Sequence, residues 1–461
     1  MNEDLVLGID IGTSSVKTCI VRRSSEDVLS EFSSPSNATV KTEDSSGDEQ
    51  SVEQIFSCIE SCMNQLPEQL LTRVSCVAVC GQMHGCVLWQ SDRITPVSTD
   101  HIKEATSNLI TWQDGRCTEE FLRSLPCTTQ PTKISTGYGC ASLAWLHRNK
   151  LDLLNQFDTS GTIMDLLVCV LCGAGRPHMS THNANSWGYF DLQAKQWELE
   201  LLKKEGFPVE YLPKVVEAGT TVGHLAQSWY HVPKGTAVLA AMGDLQCSTL
   251  AVLPGPHDAV LNIGTSSQLA VVATEGSISI KDHPSLLQVP YFGGKNLIVA
   301  ASLTGGNAVA QFVDQLEGWC SELGVPTPNK DSIYQHLFES AAKIHESSLC
   351  LDPLFWGERH FPSGRGSASN IHTNNGSLGD ITHALCKGII VNIKKMMPAD
   401  IFHACKVDCI VGCGSALLRN ELLQRYIREV FELKLQLRTS GISAAFGAAL
   451  AAKSEHAKSQ N

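Results

Sequence analysis

A chain of 461 residues is long for one hydrophobic core and suits two α/β domains. With 43% hydrophobic and 18% charged residues it can fill such cores without disulfides or metals. Its 47 acidic against 35 basic residues exclude the electrostatic footprint of a partner for nucleic acid or an anionic membrane surface.

The acidic start Met1-Asn2-Glu3-Asp4 runs into an apolar strand over 5–9 and lacks the basic opening and long apolar stretch of a secretory leader, so a cytoplasmic location is expected. Further strands are predicted over 16–21, 74–79, 238–241, 260–263 and 269–272. Helices are predicted over 52–66, 142–156, 381–397 and 417–431, where apolar residues recur at three- and four-residue spacing. The apolar stretch 163–175 contains Asp165 and falls short of the roughly 20 residues that span a bilayer, so it reads as a buried helix. Segments 41–51 and 363–379 read as polar loops, and the class is α/β. The 18 cysteines are scattered through apolar runs, Cys169 and Cys172 included, as small buried hydrophobes are.

Ile11-Gly12-Thr13-Ser14-Ser15 returns 252 residues later as Ile263-Gly264-Thr265-Ser266-Ser267, each copy between two predicted strands. Such self-similarity predicts a duplicated unit. The expected organisation is a first lobe over 1–250, a second over 251–455 and a frayed tail over 456–461.

A Gly-Thr-Ser-Ser turn gathers backbone N–H groups and hydroxyls in a small space, as a phosphate chain requires. Two of them form a nucleotide clamp without the G-x-x-x-x-G-K-[ST] loop, which the chain lacks. Lys17 reads equally as a charge for the phosphates and as a solvated strand residue. Asp10, beside the first turn, reads as a carboxylate for hydrated Mg²⁺ or as a turn cap; Asn262 takes its place in the second copy. Asp244 follows the strand over 238–241, where phosphoryl transfer to an alcohol would place its base, though a Gly-Asp pair is also an ordinary turn. Gly81-Gln82-Met83-His84-Gly85 and Trp112-Gln113-Asp114-Gly115-Arg116 each read as a wall of a sugar site or as a self-satisfied loop. Gly412-Cys413-Gly414-Ser415 reads as a turn that admits a flat ligand or as close strand–helix packing. The run Ala444-Ala445-Phe446-Gly447-Ala448-Ala449 reads as a close-packing helix face.

In order, GIDIGTSSVK (8–17), GQMHG (81–85), TWQDGR (111–116), MGDLQCS (242–248), NIGTSS (262–267), TGGNA (304–308), VGCGSALLRN (411–420) and AAFGAALAA (444–452) resemble the FGGY carbohydrate kinases over nearly the whole chain. Within that family GERHFP (357–362), SLGDITHALCKGII (377–390) and GSALLRN (414–420) resemble one ketose kinase more than the glycerol, gluconate or xylulose kinases. The resemblance implies two actin-like lobes with ribonuclease-H-like cores, an active-site cleft between them, and transfer from Mg-ATP to a sugar hydroxyl. It implies Asp244 as catalytic base and Asp10 as the Mg²⁺ residue. Thr13, Ser14, Ser15, Lys17, Gly264 and Thr265 are implied at the phosphates, and Gly306, Gly412 and Gly414 near the nucleotide. Gln82, Met83, His84, Trp112, Asp114 and Asp244 are implied in the sugar pocket, with Asn185 of STHNANSWGYFD beside them. Cys413 and Leu417 depart from the family pattern near the adenine. The partner expected is a small sugar, with neither nucleic acid nor membrane. The alternatives are a ketopentose kinase and a nucleotide-binding regulator that has lost transfer.

Overall fold

The computed structural model describes residues 4–99, 101–128, 130, 134–253, 255, 257–274, 276–439 and 443–459. The chain forms two compact units: one takes in the residues up to Ala251, Val289–Gly294 and the C-terminal segment from 441, the other Val252–Gln288 and Lys295–Ser440. No helix among the described residues is long and apolar enough to cross a membrane.

In the first unit, β1 (Leu5–Ile11) pairs antiparallel with β2 (Ser15–Arg22), which pairs antiparallel with β3 (Val28–Pro35). On the other side of β1 lie, in parallel, β4 (Val74–Gly81), then β5 (Ala237–Leu239) and the short β6 (Met242–Gly243). Thr221–His224 closes that edge antiparallel to β5. β1 is apolar from Leu5 to Ile9 because both of its faces are covered, as in the interior of parallel sheets, and Asp10 is its one polar residue. Leu5, Leu7, Ile9 and Ile11 share a core with helices α1 (Val52–Asn64) and α2 (Ile163–Cys172). Val6, one position out of phase, shares another with Cys247, Ala251 and the C-terminal helix Ala444–Ser459.

That C-terminal helix belongs to the first unit and not to the second, to which the 251–455 division had joined it. Its small residues are the reason. A β-carbon on Gly8 would overlap the carbonyl oxygen of Ala445, and one on Gly447 that of Cys247 in the helix Asp244–Val252, so the C-terminal helix meets both β1 and that helix backbone to backbone. Of the tail expected to fray, residues 460 and 461 lie outside the described residues, and the backbone up to Ser459 is helical. Gly447→Ala should gain helix propensity of about 1 kcal/mol yet lose about 2 kcal/mol or more to the clash. A urea midpoint that rises rather than falls in this variant would mean that the contact yields.

The second unit repeats the plan. β7 (Asp258–Ile263) pairs antiparallel with β8 (Ser267–Thr274), and β8 with β9 (Lys295–Ser302). On the other side of β7 come β10 (Cys409–Cys413) and β11 (Lys434–Leu437), both parallel. The order β3-β2-β1-β4-β5 of the first unit is thus the order β9-β8-β7-β10-β11 of the second. Helices α5 (Gly306–Glu322), α6 (Leu378–Met396) and α7 (Glu421–Phe431) contribute Ala308, Ile389, Ile393 and Tyr426 to its core.

The predicted helix over 142–156 is two, Gly139–Asn149 and Leu151–Leu154, broken at Lys150 with φ −141°. That over 417–431 is divided by Asn420, whose side chain accepts from Leu422 and Leu423 and so starts α7 afresh. All 18 cysteines are free, and most are buried.

Candidate active site

Three parallel strands of the first unit end side by side. Register places Asp10 of β1 and Met242 of β6 both opposite Cys80 of β4, and Ile11 and Gly243 both opposite Gly81. Asp10, one residue short of the end of β1, and Asp244, the first residue past β6, therefore stand within two residues of one level on either side of β4, at the carboxyl edge where open α/β sheets bind ligands.

Asp244 opens helix α4 (Asp244–Val252), and its Oδ1 accepts the Leu245 N–H at 2.7 Å. Burial, and then the negative charge of Asp10, push its carboxyl up to about 7. Asp10 is 6% exposed, and burial pushes it up to about 6, with Lys17 across the β1–β2 pair lowering it in part. Oδ1 of Asp10 is buried without a hydrogen-bond partner among the described residues. A carboxylate so placed costs stability and is poised for an incoming cation or donor.

The first Gly-Thr-Ser-Ser turn is tied to the expected sugar wall by a short relay. Trp112 Nε1–H donates to Thr13 Oγ1 at 3.0 Å, Gln50 Nε2–H to the Thr13 carbonyl at 2.8 Å, and Gln82 Nε2–H to Gln50 Oε1 at 2.9 Å. Gln82 N–H also donates to the Ile11 carbonyl at 2.9 Å. Met83 follows, its sulfur packed against Gly243 where a side chain there would stand. Thr13, Gln82, Met83, Trp112 and Asp244 are thereby brought together. Gln50 was missed in the sequence because no local pattern marks a contact 37 residues from its partner.

His84 has φ +74°, an uncommon conformation for a side-chain-bearing residue. It is held there by Ser186, whose carbonyl lies 2.7 Å from His84 Nδ1, and by stacking on Tyr138 with ring centroids 4.6 Å apart. Ser186 and Asn185 share helix α3 (Thr181–Trp187), which puts buried Asn185 next to the His84 anchor. Asp114 is buried, its Oδ2 accepting from Asp48 N–H at 2.9 Å and Arg116 Nε–H at 2.8 Å. Burial raises its pKa, with these bonds and the Arg116 charge acting against it. Trp112 is 42% exposed, an aromatic face left open beside them.

In the second unit Gly264 N–H donates to the Ser266 carbonyl at 3.0 Å, and Thr265 and Ser266 are exposed. The hairpin is lashed to the N-terminus of α5: Gly306 N–H donates to the Gly264 carbonyl at 2.8 Å and Asn307 N–H to that of Thr265 at 3.0 Å. Gly306 permits this approach, since a β-carbon there would meet the Gly264 carbonyl and Ala416. The positive end of the α5 dipole thus lies at a turn rich in hydroxyls, a favourable place for anionic oxygens. Gly414 turns the chain after β10 with φ +94°, against Asn262 and Ile263. Gly412 is buried, and the room left by its missing side chain is taken by Leu417 and Leu435.

Residues 5–251 match the FGGY family of carbohydrate kinases, N-terminal domain. The chain is 38% identical to human sedoheptulokinase over 472 residues, covering 98% of each, and 39% identical to that of Mus musculus, covering 97% of this chain and 96% of the relative. Among solved structures it is similar to the xylulose kinase of Rhodospirillum rubrum, with a TM-score of 0.80 at 19% identity over 98% of this chain and 90% of that one. Both units follow the ribonuclease-H-like, actin-type strand order that the sequence resemblance implied. With two phosphate-type turns, two raised carboxyls at a strand edge and full-length similarity of this order, the chain belongs to the FGGY family of carbohydrate kinases.

Proposed function

We propose that this chain transfers the γ-phosphoryl group of ATP to the terminal hydroxyl of sedoheptulose, giving sedoheptulose 7-phosphate and ADP, in the cytoplasm and as a feed into the pentose phosphate pathway. The observation that carries the chemistry is Asp244, a carboxyl raised to about 7 at the strand edge beside Met83. A base with a pKa near the working pH is strong enough to take a proton and is still ionised. As the sugar oxygen bonds to the γ-phosphorus, its proton passes to Asp244; the bond from that phosphorus to the bridging oxygen breaks, and ADP leaves with the electron pair. Gln82, Met83, His84, Trp112, Asp114 and Asn185 hold the sugar, while the Thr13–Ser15 and Gly264–Thr265 turns, Lys17, Gly306 and Gly414 serve the nucleotide.

No group of three or more His, Cys, Asp or Glu side chains among the described residues is placed to cage a metal. A hydrated Mg²⁺ carried on ATP phosphates needs only one or two carboxylates, and the unpartnered Oδ1 of Asp10 fits it. Bound there, the ion would draw charge from the β- and γ-phosphoryl oxygens.

Sedoheptulose is preferred because the relatives of that name are 38–39% identical, against 24% for the xylulose kinase of Klebsiella pneumoniae. Coupled ADP release with MgATP over sedoheptulose, xylulose, ribulose, glycerol and gluconate tests this. Sedoheptulose should lead the pentuloses in kcat/KM by about tenfold or more, a difference of roughly 1.4 kcal/mol in transition-state binding. A pentulose preference would replace the substrate, and silence on every sugar despite ATP binding would return the chain to the regulator reading.

A further inference from the structure

Glu358 of the second unit is 2% exposed and takes no part in the mechanism above. It stands at the base of a tight turn, its N–H donating to the Phe361 carbonyl at 3.1 Å and its carbonyl accepting from Phe361 N–H at 2.9 Å. Three donors converge on its carboxylate. Ser302 Oγ–H donates to Oε1 at 2.5 Å, Asn392 Nδ2–H to Oε1 at 2.8 Å, and Leu303 N–H to Oε2 at 2.9 Å.

These bonds fix the end of β9, and the chain that follows is fixed in turn. Thr304 N–H donates to Ser302 Oγ at 3.0 Å, Ser267 Oγ–H to the Thr304 carbonyl at 2.6 Å, and Gly305 N–H to Asn307 Oδ1 at 2.9 Å. Asn307 Nδ2–H reaches back to the Leu303 carbonyl at 2.8 Å. The next two N–H groups, of Gly306 and Asn307, hold the Gly264-Thr265 turn. A continuous series of hydrogen bonds thus joins the buried carboxylate to the hairpin at the start of α5. Charge-assisted bonds in a desolvated network are the stiff ones, and only a carboxylate offers acceptors on both sides.

We propose that Glu358 is a positioning residue for the nucleotide phosphates, holding the 302–305 turn and through it the Gly264-Thr265 hairpin in the shape that binds them. The proposal rests on the kinase reading above. Glu358→Gln keeps the volume but turns an amide N–H toward either Leu303 N–H or the Asn392 amide, donor against donor. Asn392→Asp in the same chain supplies the missing acceptor and restores the pairing with its charge moved to the other partner.

The test uses the full chain and two readouts, calorimetric binding of MgADP without sugar and sedoheptulose-dependent ADP release with each substrate varied. For Glu358→Gln, the Kd for MgADP and the KM for ATP should rise by about tenfold, with the sugar KM changed by less than about twofold. The double variant with Asn392→Asp should recover most of that loss. Unchanged nucleotide affinity, an equal rise for sugar and ATP, or a double variant no better than the single would overturn the role. Should Glu358→Gln not fold, Ser302→Ala removes one donor and the Thr304 acceptor, and a rise of about threefold in the MgADP Kd is expected; none would equally overturn it. MgADP binding is read without sugar, so a wild-type chain that binds MgADP and phosphorylates nothing tested would refute the kinase reading alone.

Discussion

Asp244→Asn is expected to lower kcat by a factor of about 10² or more while MgADP and sugar still bind, in line with the loss of a general base. The amide is the same size and can still accept the Leu245 N–H that fixes Oδ1 in the wild type, so its placement is kept. What it cannot do is take the proton. The wild-type pH profile carries the same signature. With its carboxyl raised to about 7, chiefly by burial and then by Asp10, the ionised base is the minority below that pH, so kcat/KM should fall on the acid side with a midpoint near 7. A pH profile flat from 6 to 8 together with near-normal turnover of Asp244→Asn would remove it from the role.

How much of this was written in the sequence depends on the range of the contact. The duplicated Ile-Gly-Thr-Ser-Ser turn was legible because its residues are contiguous, although the two hairpins differ in register by one residue, Ile11 standing opposite Val16 and Ile263 opposite Ser267. β1 and β4 were legible because burial on both faces demands a long apolar run, Leu5 to Ile9 in the one and Cys76 to Cys80 in the other. β3 was not. It mixes exposed and half-buried residues over VLSEFSSP and has no apolar run to mark it, whereas β9 does carry one, Leu297 to Ala301, and so was open to being read. α5 escaped as β3 did: it buries only Ala308, Val309 and Val313 over 17 residues. The candidate site divides the same way. Asp10, Asp244 and the turns lie beside recognisable strands, whereas Gln50 and Glu358 act across long stretches of chain, Glu358 being 56 residues from Ser302. Gly412 shows the converse: a glycine in a ligand-type motif whose visible duty is to admit leucine side chains.

Asp10→Asn should move activity and stability in opposite directions. At 6% exposure and with Oδ1 unpartnered, the Asp10 charge is held against its solvation, and its carboxyl is raised from 3.8 to about 6. The folded state therefore keeps a proton that the unfolded chain releases between those values, so this group's contribution to stability falls as pH rises from about 4 to about 6 and stays low above. Roughly two pKa units at about 1.4 kcal/mol each set an upper bound of about 3 kcal/mol on that penalty. Asparagine carries no charge to desolvate, so the variant should melt higher than the wild type at pH 7.5, the gap closing toward pH 4. Turnover should fall by about 10², because the carboxylate expected to meet the metal-bound phosphates is gone, and half-maximal rate should require more Mg²⁺. Losing the Asp10 charge also removes the repulsion that helps raise Asp244, so the acid limb of the residual rate should shift to lower pH. A variant that melts lower at pH 7.5, or keeps both its rate and its Mg²⁺ requirement, would make Asp10 a structural turn cap, the alternative its position beside the Gly-Thr-Ser-Ser turn also permits.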